Sequence, residues 1–128
     1  LVLRPAARPR RPLRDSVLYE LNVRGFTMRL PGVPDALRGT FEGLAHPAAI
    51  AHLKSLGVTT LSLMPVMEWL DEAPLAERGL RNYWGYNTIA FFCPARRLCH
   101  RPDDAIGEFR RMVATLQREG FDVVLDVV

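Results

Sequence analysis

The stretch HPAAIAHLKSLGVTTLSL, residues 46–63, changes its hydrophobic period partway along. Pro47 suits a first helical position, where its missing N–H leaves no bond unmade. Ala49, Ile50, Leu53 and Leu56 then fall on one face at helical spacing. Gly57 is a natural terminator, and Val58 to Leu63 reads as a short apolar strand. The spacing predicts a helix followed at once by a strand. The pattern recurs downstream. Asp103 is placed as an N-cap; Ile106, Phe109, Met112, Val113 and Leu116 form an apolar stripe; Gly120 ends the helix; and residues 121–128 read as a strand. Upstream, Val17 to Val23 is a strand by its apolar bias, ending at Arg24-Gly25-Phe26-Thr27.

The order is strand, helix, strand, helix, strand, which predicts an α/β fold with a parallel sheet. If the strands lie in sequence order, right-handed crossovers put both helices on one side. The other side, rich in Val and Leu, is then expected to be bare. The chain accordingly reads as a partial (β/α)₈ TIM barrel, its first three strands and two helices, because a whole barrel takes about 250 residues. Such barrels bind substrate at the carboxyl ends of their strands. Both long irregular segments, 24–45 and 67–102, fall at that end. The connections at Gly57 and Gly120 are short. A structureless loop of 36 residues is more often functional than accidental.

The composition fits one globular domain: 128 residues, 48% hydrophobic, 24% charged. The net charge of +3 is unevenly spread. Arg4, Arg8, Arg10, Arg11 and Arg14 sit among prolines in residues 1–14, leaving 12 basic against 14 acidic side chains beyond them. The body is therefore not a nucleic-acid surface. Residues 1–14 read as an interdomain linker, with a polyanion contact as the weaker alternative. No run reaches the roughly 18 apolar residues of a membrane span, and no signal-peptide core follows the basic start. Cys93 and Cys99 are too few for a disulfide scaffold and lack metal-ligand spacing. Unpaired thiols in a reducing, cytoplasmic setting are expected. The first residue is Leu1, so the true start is expected upstream.

The segment Arg81-Asn82-Tyr83-Trp84-Gly85-Tyr86-Asn87 places three large aromatics around a glycine. Tyr and Trp offer flat apolar faces with a polar edge, which matches the C–H face and hydroxyl rim of a sugar. Plugging the top of a barrel core is the competing use of such side chains. Glu68, Asp71 and Glu72 read as a solvated face, and Arg96 and Arg97 as surface charges. His46 reads as a helix boundary and His52 as exposed. There is no glycine-rich phosphate loop.

Several stretches resemble the α-amylase superfamily of glycoside hydrolases, and within it the bacterial isoamylase-type glycogen debranching enzymes. Residues 17–27 resemble the family's first barrel strand, residues 39–44 the approach to its first helix, and Leu63-Met64-Pro65-Val66 the end of its second strand. Residues 78–87 are the most debranching-like. Leu125-Asp126-Val127-Val128 resembles the start of the first signature region. The resemblance spans residues 15–128. It implies retaining hydrolysis of α-1,6 branch linkages in glycogen or another branched α-glucan, with no metal and no cofactor. It assigns substrate-binding roles to Tyr86, which matches a tyrosine that stacks on glucose, to Trp84 beside it, and to Asp126. A capping role at the strand end is the alternative for Asp126. No residue here matches the family's catalytic carboxylates, so those are expected on later strands, with the rest of the barrel and a preceding domain as the chain's partners. Branching, trehalose release, α-1,4 hydrolysis or non-catalytic glucan binding are the alternatives.

Overall fold

The computed structural model describes residues 11–128, so Arg4, Arg8 and Arg10 of the leading arm lie outside the described residues. Leu13–Asp15 form one exposed 3-10 turn. Strand β1, Leu18–Leu21, leads into a short helix α1, Val23–Thr27. Val23 is thus helical rather than the last strand residue. The cause is Asn22, whose side chain accepts from the Gly25 N–H and caps a helix there. Residues 28–45, expected to be irregular, contain a 3-10 turn at Asp35–Leu37 and helix α2, Phe41–Leu44. Thr40 caps α2 through Gly43 N–H, and Phe41 and Leu44 are fully buried.

Helix α3, Pro47–Ser55, follows the expected cap, with His46 Nδ1 accepting from Ala48 N–H. Strand β2 is Thr60–Leu63. The long connection is not a bare loop. It holds an antiparallel hairpin of β3, Met67–Trp69, and β4, Thr88–Pro94, with helix α4, Ala73–Ala76, between them. Helix α5, Ala105–Arg118, starts after Asp104 rather than Asp103, and neither aspartate caps it. Both are engaged elsewhere: Asp103 with Arg96, Asp104 with Arg111. Strand β5 is Asp122–Leu125.

β1, β2 and β5 form one parallel sheet in sequence order, with Leu21, Leu63 and Leu125 in register. Alternation along the strands puts Tyr19, Leu21, Leu61, Leu63, Val123 and Leu125 on the face that joins the core. Ile50 and Leu53 of α3 and Phe109, Met112 and Leu116 of α5 pack in the same cluster. Ile106, expected in the stripe, is exposed. The second face is not the Val and Leu surface expected. Leu18 and Val124 are exposed there, but Glu20, Thr60, Ser62 and Asp122 alternate with them. Among the described residues no helix is long and apolar enough to cross a membrane.

One acidic side chain is fully buried among the described residues. Glu108 of α5 has no exposed surface. Its carboxylate accepts from the backbone N–H groups of His100 and Arg101, both at 2.9 Å, and of Glu42 at 3.3 Å. It ties α5 to the 99–101 turn and to α2. Glu108→Ala leaves those donors without an acceptor, at a cost of about 1–3 kcal/mol. We expect the unfolding free energy to fall by that amount, read as a lower denaturant midpoint at unchanged slope; an unchanged midpoint would show that the clamp contributes nothing.

Candidate functional site

The carboxyl ends of β1, β2 and β5 lie at one edge because all three strands run the same way. The chain leaves β2 through Met64-Pro65-Val66, makes the β3–β4 hairpin, and presents residues 80–87 between the two hairpin strands. Gly85 sits at φ +83°, where L side chains are strained. A Cβ there would lie 3.1 Å from Pro65 Cβ and 3.3 Å from the Trp69 ring. The loop therefore packs flat on β3 only because residue 85 has no side chain.

Asn82 supplies the rest of the frame. Its Oδ1 accepts from Gly85 N–H at 2.9 Å, its Nδ2 donates to Glu72 Oε1 at 2.9 Å, and its N–H donates to Asp71 Oδ1 at 2.9 Å. Its carbonyl accepts from Trp69 Nε1 at 3.0 Å. Arg97 closes the network. It donates to Asp71 Oδ1 at 2.8 Å and to the Trp69 carbonyl at 3.2 Å, with its guanidinium 4.6 Å from the Trp69 ring centroid. The hydrogen bond from Arg97 holds the Asp71 carboxyl below its ordinary value. Asp71, Glu72 and Arg97 are thus not the solvated charges expected from sequence. They are half-buried braces. Glu68 also has a partner, accepting from Arg96 N–H at 3.0 Å. Asn82, Trp69 and Arg97 were not singled out as site residues; the signal available was Asn-x-x-Gly at 82–85, a side-chain-to-backbone turn.

The outward side of the loop carries the aromatics. Tyr83, Trp84 and Tyr86 are 45%, 55% and 40% exposed, so they do not plug a core here. Tyr83 meets Trp84 edge to face, with centroids 5.0 Å apart. Its hydroxyl lies where a Cβ on Gly25 would be, and its carbonyl accepts from Asn22 Nδ2 at 3.3 Å. The loop is therefore tied to the start of α1.

Tyr86 turns toward β5. Its hydroxyl donates to Asp126 Oδ2 at 2.5 Å. Asp126 is itself fixed, its N–H donating to the Leu63 carbonyl at 2.8 Å. Two of the three residues picked from sequence are thus brought together across 40 positions, while Trp84 sits against Tyr83 instead. The hydrogen bond to Asp126, helped by burial and by the charges of Asp126 and Glu20, pushes the Tyr86 phenol up to about 12. Among the described residues no cluster of three metal-ligating side chains exists. His100 Nδ1 lies 2.9 Å from the Ala36 carbonyl. Both cysteines are free, Cys93 exposed and Cys99 buried.

The raised phenol gives a direct test. The donor form of Tyr86 is favoured in the folded protein, so the contact is intact below about pH 10, the ordinary tyrosine value. It weakens as pH rises toward about 12. Near-UV tyrosinate absorbance, taken as the difference from Tyr86→Phe, should titrate late, and Asp126→Asn should bring the midpoint down. A midpoint indifferent to Asp126→Asn would remove the pairing.

No protein-family model matches the chain. Curated relatives do. It is 51% identical over 120 residues to the glycogen debranching enzyme of Dickeya chrysanthemi, and 47% identical over 122 residues to the glycogen operon protein GlgX homolog of Mycobacterium tuberculosis strain H37Rv. Each match takes in 94% of this chain, and the chain spans only 18% and 17% of those relatives. Among solved structures it resembles a pullulanase from Anoxybacillus sp. LM18-11, with a TM-score of 0.78 and 28% identity over 99% of this chain and 20% of that one. It likewise resembles a pullulanase from Paenibacillus barengoltzii in complex with maltohexaose and α-cyclodextrin, at a TM-score of 0.73 and 26% identity over 96% of this chain and 20% of that one. By sequence and by fold, the chain is thus similar to part of the glycogen debranching enzymes and of the pullulanases of the α-amylase family.

Proposed function

We propose that this chain is part of a glycogen debranching enzyme that hydrolyses α-1,6 branch linkages in glycogen or a related α-glucan with retention. The observation that carries the reading is the 51% identity to a glycogen debranching enzyme and the 47% identity to a GlgX homolog, each across nearly the whole chain. On this reading the β1–β2–β5 sheet is the opening of a (β/α)₈ barrel, and residues 1–14 link it to a preceding domain. The carboxylate nucleophile and acid/base, which a retaining glycosidase needs about 5–5.5 Å apart, belong to later strands. On this reading the protein works in the cytoplasm, a reducing setting in which Cys93 and Cys99 stay free thiols.

The role of this part is to shape the glucose pocket. Tyr86 offers an exposed ring face whose tilt is fixed by the bond to Asp126. A pyranose stacks on that face through its C–H bonds. Asp126 uses one oxygen on Tyr86 and keeps further lone pairs for a sugar hydroxyl. Trp84 extends the apolar wall. Because Asn82 and Gly85 hold the loop before substrate arrives, little ordering remains to be done on binding.

The test uses the full-length protein on a branched limit dextrin, on pullulan and on linear maltooligosaccharides. Cleavage of the α-1,6 linkages with release of the α-anomer is expected. Cutting confined to the linear chains would overturn the reading. Tyr86→Ala should lower kcat/KM about 100-fold and Tyr86→Phe about tenfold, corresponding to roughly 2.7 and 1.4 kcal/mol of binding in the transition state. Equal losses in both variants would assign the effect to the hydroxyl rather than to stacking.

A further inference from the structure

A cleft of about 240 Å³ opens between α1, residues 81–83 and the 96–98 turn. Neither Tyr86 nor Asp126 lines it. Three arginines do, each from a different part of the chain: Arg24, Arg81 and Arg97. Trp69 and Tyr83 supply aromatic walls. Arg97 is already matched by Asp71. Arg24 and Arg81 form no ion pair among the described residues. Asp71 feels the charge of Arg81 only as its weakest influence.

Two arginines without an acidic partner, both lining one concavity, raise its positive potential and attract an anion. The guanidinium fork matches phosphate oxygens in pairs and gives geometric selectivity that a lysine lacks. The volume lies below the roughly 300–1,000 Å³ of sites for drug-sized ligands, so the occupant is small. The aromatic walls suit a ring with C–H faces.

We propose that this cleft binds a phosphate monoester of a hexose, either a free sugar phosphate or a phosphorylated glucose unit in a glucan. The phosphate half stands on the guanidiniums alone; the hexose half rests on the debranching reading. Bound there, the ester neutralises Arg24 and Arg81 and lies against the segment that Asn82 holds in place. The site would let the enzyme sense sugar phosphate or recognise phosphorylated branches.

Calorimetric titration of the full-length protein tests this with glucose 6-phosphate, glucose, inorganic phosphate, and a maltooligosaccharide with and without a 6-phosphate. The ester should bind at least tenfold more tightly than glucose, and the double variant Arg24→Gln/Arg81→Gln should weaken it at least tenfold. Arg24→Lys/Arg81→Lys, which keeps the charge and loses the fork, should fall between, and unfolding curves of both variants check that they are folded. Tighter binding of the free ester points to a metabolite; tighter binding of the phosphorylated oligosaccharide points to a branch. No binding of either ester by the wild-type protein, or binding unaltered in folded variants, overturns the proposal. Inorganic phosphate bound as tightly as glucose 6-phosphate overturns its hexose half. A protein that cleaves limit dextrin but binds no ester fails this inference alone; one that binds the ester but cleaves no branch fails the functional reading alone.

Discussion

Parallel pairing on both sides of β2 controls where everything else in this chain can go. A parallel partner cannot be reached by a tight hairpin, so each strand must be followed by a crossover that returns to the opposite edge. Here both crossovers end the same way. Gly57 and Gly120 sit at φ +72° and +93°, and the next residues, Val58 and Phe121, donate back to Leu53 and Leu116. These are compact helix ends that feed directly into strands. The opposite edge has no such economy. It collects the helix-capping turn at Asn22, the hairpin after β2, and Asp126 after β5. Residues far apart in sequence meet there because the strands share a direction.

The hairpin turns that edge into a defined surface. Ordering an 18-residue excursion between β3 and β4 costs conformational entropy that its own contacts must offset. The chain limits it from within. Glu72 and Asp71 precede Asn82 by about ten residues and bind it through both side chain and backbone. Arg97, beyond β4, grips Asp71 and lies over Trp69. Glu72 keeps Oε2 buried without a partner, while Asp71, Asn82 and Arg97 satisfy one another on the inner side of the loop. That leaves Tyr83, Trp84 and Tyr86 free of structural hydrogen bonding to its centre, with their rings outward.

The order of the main strands and helices was legible because it rests on periodicity, and α3, β2, α5 and β5 are long or apolar enough to show it. The hairpin was not. β3 has three residues, and its middle one is Glu68. β4 carries Ile89, Phe91 and Phe92, but all three are exposed, so its apolar residues do not mark a buried face. Glu108 was hidden for the opposite reason. Glutamate is ordinarily a surface residue, and only the meeting of α5 with the 99–101 turn and α2 gives its carboxylate three backbone donors. Val23 misled because a β-branched residue favours strands, whereas the Asn22 cap decides the local outcome. Of the site, Tyr86 and Asp126 could be named from resemblance, but their contact could not, since it depends on β2 and β5 being neighbours.

That contact shows what the sheet contributes beyond proximity. Tyr86 is held at its base by a loop pinned to β3, and at its hydroxyl by a residue extending the β2–β5 ladder. The two supports belong to different sheets. A ring fastened at both ends can neither swing about its Cα–Cβ bond nor tilt without breaking a hydrogen bond to a carboxylate, which is stronger than one to a neutral acceptor. Its exposed face is therefore presented in one orientation. An aromatic fixed in this way gives up little rotamer freedom when a flat ligand arrives, so more of the stacking energy remains as affinity. Trp84, joined only edge to face with Tyr83, lacks a second anchor. The difference in support, rather than in residue type, makes Tyr86 the fixed point of the surface and Trp84 its adaptable margin.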